Sequence, residues 1–138
     1  MGKVLVLNSK TLEFTEVEVG KRTVGLEELR DNIGCDYVEH VSGYNETLDK
    51  LHVGMWIDEE GKLKDGWLEN FPLGIVDKNG KIIEMLAGNI LFAIDGVDGN
   101  TYCLSDEKIE LIKQQIFDGM IGNVISGFRK VKALTYRG

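Results

Sequence analysis

The side chains that could do chemistry in this chain are few and scattered. His40 and His52 are twelve residues apart on different predicted elements, and neither belongs to a metal-binding spacing such as H-x-x-x-H. Cys35 and Cys103 are far apart in sequence, and Cys35 follows Gly34 at the predicted end of a helix, where the helix dipole raises the pKa of a thiol. We therefore expect no catalytic residue, no metal and no cofactor, and a binding protein rather than an enzyme.

Carboxylates are abundant but lack the spacing of a site. Asp95, Asp98 and Asn100 resemble a fragment of a calcium loop, yet the full D-x-D-x-D-G spacing is absent and a hairpin turn explains them better. The run 58–60, Asp-Glu-Glu, is expected to be a solvated turn in a chain with 23 acidic residues. No phosphate-loop, dinucleotide-binding or G-x-S-x-G pattern is present.

Recognition chemistry is what remains. Trp56 lies on the strand face opposite a row of apolar residues, so it is either core or, on an exposed face, a contact anchor. Arg22 and Arg30 flank the first predicted helix and could grip a phosphate or a carboxylate. The candidate ligand- or partner-binding residues are Trp56, Trp67, Arg22, Arg30, Phe128, Arg129, Lys130 and Lys132.

The charge is divided unevenly along the chain. The net charge is −7, with 12 basic and 22 acidic side chains in residues 1–117 and four basic and one acidic in residues 118–138. The body is thus −10 and the tail +3. A body this acidic repels phosphate backbones, which argues against general nucleic-acid binding. A basic tail can meet an acidic partner, pair with the chain's own body or remain a solvated terminus.

The elements that must position these residues are short. Strands are predicted around residues 3–8, 12–19, 36–41, 51–57, 73–76, 81–86, 89–95 and 101–104, and residues 62–68 are a candidate hairpin arm. The alternation in 12–19 slips once, between Phe14 and Val17, which favours a bulge. Helices are predicted from an N-cap at Thr23 to Gly34, and from Ser105 to Gly119. Residues 42–49 are predicted to be a loop.

These elements predict one α+β domain, a curved and mainly antiparallel sheet of six to eight short strands with two helices. The 138 residues suffice for one core, and no apolar run is long enough to span a membrane, so we expect a cytoplasmic protein. The domain is assigned to residues 1–117. Residues 118–138 suit either helix or strand, and we expect them to pack on the domain or on a second copy, with a homodimer preferred.

Four segments together carry a family resemblance. They are residues 34–41 (Gly-Cys-Asp-Tyr-Val-Glu-His-Val), 58–63 (Asp-Glu-Glu-Gly-Lys-Leu) with Asn70 downstream, 88–94 (Gly-Asn-Ile-Leu-Phe-Ala-Ile) and 104–107 (Leu-Ser-Asp-Glu). Over about residues 3–117 the chain resembles a small family of unknown function encoded by phages, prophages and conjugative elements of mostly Gram-positive bacteria. The sequence departs from the family pattern at residues 71–73, Phe-Pro-Leu.

The resemblance implies a setting rather than an activity. It suggests an accessory protein of a phage or mobile element that acts by binding, as an inhibitor of a bacterial defence system (anti-CRISPR-like or another anti-defence protein) through a host protein. The alternatives are a sponge that sequesters a nucleotide immune signal, a small-molecule-modifying enzyme, and an interaction module for replication or assembly. A nucleotide would require aromatic stacking and arginine, which the acidic body disfavours.

Overall fold

The computed structural model of the chain describes residues 2–123 and 127–137, and side chains for these residues except 69, 70, 120–123 and 127–130. The strands are β1 (Gly2–Leu7), β2 (Phe14–Val19), β3 (Val38–Val41), β4 (Val53–Asp58), β5 (Leu73–Val76), β6 (Ile82–Leu86), β7 (Ile90–Asp95), β8 (Thr101–Tyr102), β9 (Ile116–Asn123) and β10 (Gly127–Thr135). The helices are α1 (Leu26–Ile33), α2 (Glu46–Lys50), α3 (Trp67–Asn70) and α4 (Asp106–Gln115), and Gly61–Leu63 forms a 3₁₀ turn.

The strands form two sheets. The large sheet has the order β2-β1-β7-β4-β3, with β8 paired to the end of β7, and the small sheet has the order β6-β5-β10-β9. Among the described strands every pairing is antiparallel except that of β10 with β5. The mixed α/β class and the mainly antiparallel pairing were predicted correctly. The ten strands in two sheets that the described residues contain exceed the predicted single sheet of six to eight.

The main core lies between the two sheets. The large sheet contributes alternate residues of β1, β4 and β7, such as Leu5, Met55 and Phe92, and the small sheet contributes residues such as Ile75 and Leu134. Helices α2 and α4 complete this core. The predicted apolar face of β4 is the one that is buried here.

A second core covers the opposite face of the large sheet. Helix α1 packs Leu29 and Ile33 against residues of β1, β4 and β7. Burial on both faces explains the slip in the pattern of β2, because Phe14 packs into the main core while Val17 packs into the second one. The register between β1 and β2 is continuous, so the predicted bulge was wrong.

The helix boundaries are partly those predicted. Helix α1 ends at Gly34 in the left-handed conformation, with φ of 81°, as expected. Its N-cap is Gly25 rather than Thr23, because Thr23 forms a bridge with Tyr102. Ser105 caps α4 by accepting a hydrogen bond from the N–H of Lys108, as predicted.

Helix α4 ends earlier than predicted. It stops at Gln115, and Ile116 pairs with Leu134 as the first residue of β9. Gly119, the predicted end of the helix, therefore lies within a strand. The helical spacing of Ile109, Ile112 and Ile116 is overridden at its last member, because Ile116 gains both a strand partner and a place in the core.

Two further segments differ from the prediction. The predicted loop 42–49 contains the start of α2, which is capped by Asn45. The candidate hairpin arm 62–68 is instead a 3₁₀ turn followed by α3, and this helix ends directly before Phe71 and Pro72. The extended backbone of Phe71 agrees with the predicted corner, since a residue that precedes proline disfavours the helical conformation.

The C-terminal tail forms a hairpin within the small sheet. Strand β10 lies between β5 and β9, with Lys132 opposite Leu73 in the parallel pairing and Ala133 opposite Phe117 in the antiparallel one. Leu134 is fully buried. The tail, which suited either helix or strand in the sequence, is therefore strand where it is described, and part of it is core.

Asn45 joins α2 to the tail, and this contact generates a stability prediction. Its side chain is buried, accepts a hydrogen bond from the N–H of Leu48 at 3.0 Å and donates one to the carbonyl of Thr135 at 2.9 Å. We expect Asn45→Ala to lower the free energy of unfolding by about 1–3 kcal/mol, because it removes a helix cap and leaves buried backbone groups unpaired. Denaturant unfolding checks this against Asn79→Ala, which alters an exposed turn. Equal midpoints for the two variants would contradict it.

Candidate functional site

Asp58 is the most buried carboxylate in the described part of the chain, and it lies where the cavities of the surface meet. It ends β4 in phase with Trp56, and its side chain is 7% exposed. One carboxylate oxygen accepts the N–H of Glu60 at 2.9 Å, and the other accepts the amine of Lys64 at 2.6 Å. The predicted solvated turn 58–60 thus begins with a buried, ion-paired residue, because the strand carries Asp58 inward before the turn starts.

The ion pair of Asp58 sets the electrostatics of its neighbours. The hydrogen bond to Asp58 raises the pKa of the Lys64 amine, which therefore stays charged at neutral pH. Burial raises the pKa of the Cys35 thiol, the negative charge of Asp58 raises it further, and Lys64 opposes that effect. Cys35 is consequently a poor nucleophile.

An acidic cleft opens on one side of Asp58, between the edge strands β3 and β6. We use this name for the cavity of about 180 Å³ that is lined by Glu39, Val41, Tyr44, Ile57, Asp58, Glu59, Lys62, Glu84, Met85, Leu86 and Ala87. Glu39 shares a strand face with Val41, which packs on the main core, so it points into the space between the sheets. Four carboxylates meet one lysine in this cleft.

The charges of the acidic cleft are only partly compensated. Burial is the largest influence on the pKa of Glu84 and raises it, but the hydrogen bond from Lys62 at 2.6 Å, the N–H of Met85 and the charge of Lys62 together lower this pKa below its ordinary value. No cation of the described residues lies within ion-pair distance of Glu39. Burial raises the pKa of Tyr44, and the negative charges of Glu84 and Glu39 raise it further. The cleft therefore has a negative potential.

A glycine-lined groove opens on the other side of Asp58. This cavity of about 570 Å³ is lined by Ser9, Lys10, Ile33, Gly34, Asp58, Gly61, Lys64, Asp65, Gly66, Trp67, Gly88 and Asn89. It continues into a cavity that adds Arg30 and Cys35 and shares Asp58 and Lys64. Its volume suits a small molecule. Its charges are balanced, with two lysines and two aspartates in the larger part.

The structure disperses most of the candidate recognition residues. Arg30 and Trp67 line adjoining parts of the glycine-lined groove. Arg22 lies elsewhere, with its guanidinium 5.4 Å from the centre of the Tyr102 ring. Lys132 pairs with Asp118 at 2.6 Å on the small sheet.

Trp56 is a core residue, and three of the candidate residues lie in the tail. Trp56 is 6% exposed, packs in the second core and contacts the His40 ring, so the core alternative is the correct one and its ring is not a surface contact. The backbones of Phe128, Arg129 and Lys130 belong to β10, and their side chains lie outside the described part of the chain. Trp56 is buried because α1 covers the face of β4 that carries it.

The comparisons with known proteins give a family and no activity. A model of the family described as "Domain of unknown function (DUF3846)" matches residues 2–117. No curated protein and no solved structure matches the chain. No described helix is long and apolar enough to cross a membrane.

The ion pair of Asp58 predicts how Cys35 reacts. We expect Asp58→Asn to lower the pKa of Cys35 and to speed its alkylation at pH 8, by up to about tenfold per pKa unit, because the anion that disfavours the thiolate is gone. Lys64→Met should slow the reaction, because it removes the opposing cation. Peptide mapping by mass spectrometry after timed iodoacetamide treatment measures both rates.

Cys103 is the internal control for this experiment. Burial raises the pKa of its thiol too, but neither Asp58 nor Lys64 contributes to that shift. Its rate should stay constant in both variants. If both cysteines accelerate together, the substitution has loosened the fold, and a change of Cys35 in the same direction for both variants would contradict the electrostatic explanation.

Proposed function

The chain belongs to the DUF3846 family, a domain of unknown function, and from this premise we propose that it acts by binding a basic surface of another protein. The acidic cleft is the observation that carries the proposal. It places Glu39 and Glu84 on facing edge strands, with Tyr44 between them, at the mouth of the main core. An arginine or lysine side chain of a partner is the complement to this arrangement.

The charge of the whole body supports the same partner. Residues 1–117 carry a net −10, so a basic surface is attracted over the distance of the Debye length before any contact forms. Such steering raises the association rate and weakens as salt is added. Binding through the acidic cleft should therefore be salt-sensitive.

The biological setting is part of the proposal. On the resemblance to proteins of phages and mobile elements, we propose that the partner is a host defence protein in the bacterial cytoplasm and that this chain inhibits it. An inhibitor needs a surface that fits its target, and it needs no catalytic group.

A nucleotide immune signal is the second candidate, and the glycine-lined groove favours it. Arg30 and Trp67 line adjoining parts of this groove, which is large enough for a small ligand. Two features oppose it. Lys64 is already paired with Asp58, and the amine of Lys62 lies 5.4 Å from the centre of the Trp67 ring, where a base would stack.

A charge reversal in the cleft tests the protein-binding proposal. We expect Glu39→Lys to abolish capture of the partner from a bacterial host lysate, because the new cation repels the partner's basic group. Glu13→Lys makes the same change of charge in an exposed position next to β2, at the far edge of the large sheet, and should retain the partner. Quantitative mass spectrometry across a salt series provides the measurement.

If Glu39→Lys and Glu13→Lys lose the partner equally, binding depends on net charge alone. If both variants retain the partner equally, the acidic cleft is not the binding site. A separate experiment tests the nucleotide candidate: the purified protein is incubated with nucleotide signals and denatured, and the released ligand is analysed by chromatography. Intact ligand that is lost with Arg30→Ala would support the sponge, and cleaved ligand would make the chain an enzyme.

A further inference from the structure

The outer edge of β9 is unlike the other outer edges of the two sheets. An edge strand offers unpaired backbone groups to any other strand, and proteins protect such edges with charges, with short length or with bulges. The large sheet ends at β2 and β3, and the small sheet ends at β6 and β9. Three of these four edges carry such protection.

Each protected edge uses a recognisable device. Strand β2 carries exposed Glu16 and Glu18. Strand β3 is four residues long and carries the exposed Glu39 on the face that lines the acidic cleft. Strand β6 pairs with β5 through a register shift at Ile75/Val76, and it carries Glu84. Pairing at any of these three edges is therefore disfavoured.

Strand β9 is the least protected of the four outer edges. It is eight residues long, and Asp118 is its one charged residue in the sequence Ile-Phe-Asp-Gly-Met-Ile-Gly-Asn. The carboxylate of Asp118 accepts a hydrogen bond from Lys132 of the neighbouring strand. Phe117 is 45% exposed and borders a surface cavity of about 510 Å³. The edge is long, nearly neutral and flanked by exposed apolar surface.

The hydrogen bonds of β10 determine which backbone groups of β9 face outward. Lys132 donates its N–H to Pro72, so the backbone groups of Lys132 point to β5 and those of its neighbours point to β9. Gly119, which lies opposite Val131, therefore directs its backbone groups inward to β10. By alternation, residue 120 directs its N–H and carbonyl outward to the open edge.

We propose that this edge binds the same edge of a second copy of the chain. Antiparallel pairing of β9 with its copy is self-complementary, because under a two-fold axis each N–H···O=C bond from one strand to the other is matched by the same bond in the reverse direction. The two small sheets then form one continuous sheet of eight strands.

Charge favours a copy at this position. Two bodies at −10 repel each other, but the one charged residue of β9, Asp118, is already paired with Lys132, so pairing at this edge sets no uncompensated carboxylate of β9 against its copy. A strongly basic partner gains nothing from this neutral edge and is drawn to the acidic cleft instead. The proposal is independent of the partner chosen above.

Two substitutions at one position test the pairing. We expect the wild-type chain to be a dimer by light scattering in reducing buffer, which excludes a disulfide between the free cysteines Cys35 and Cys103. Met120→Pro should halve the mass, because proline removes the outward N–H while an edge strand tolerates it. Met120→Ala keeps the N–H and should remain a dimer.

Met120→Lys covers the case in which the proline variant fails to fold. Each copy would then bring a lysine to the paired edges, so the mass should again fall to that of a monomer. Hydrogen exchange of the β9 amides should be faster in the monomeric variant than in wild type. A wild-type monomer at all concentrations, or a dimer that survives both the proline and the lysine variants, would overturn the proposal.

Discussion

Burial of the large sheet on both of its faces is the constraint on which the other features depend. Its central strands β1, β7 and β4 must be apolar on both sides, because the small sheet covers one face and α1 covers the other. This arrangement turns Trp56 into a core residue. It also carries Asp58 inward at the end of β4, where the ion pair with Lys64 and the N–H of Glu60 make a buried carboxylate tolerable.

The ion pair of Asp58 and Lys64 connects the two candidate binding regions. Asp58 borders both the acidic cleft and the glycine-lined groove, whereas Lys64 belongs to the groove. Because Asp58 is neutralised from the groove side and Glu84 is paired with Lys62, Glu39 and Glu59 are the carboxylates of the cleft that have no ion pair among the described residues. The groove is electrostatically balanced and the cleft is not, and this difference is why a basic protein partner ranks above a nucleotide.

Edge strands have two opposite roles in this molecule. Glu39 and Glu84 point inward from β3 and β6, so they both discourage strand pairing and create the negative potential of the cleft. Strand β9 carries one charged residue, Asp118, which is paired with Lys132 of the neighbouring strand, and it presents a long and nearly neutral edge. The edge strands β3 and β6 thus form the proposed site for a basic partner, and the edge strand β9 forms the proposed site for a second copy.

Local signals in the sequence determined strands β1 to β8, the cap at Ser105, the helix end at Gly34 and the corner before Pro72. Each of these depends on side chains only a few residues apart. They also showed that Trp56 faces away from the main core. Which partner a strand pairs with is not a local property. The tertiary structure alone therefore decided that the tail is strand, that α4 ends at Gln115, and that Asp58 is buried beside Lys64, since distant segments compete for the same backbone hydrogen bonds and the same apolar surface.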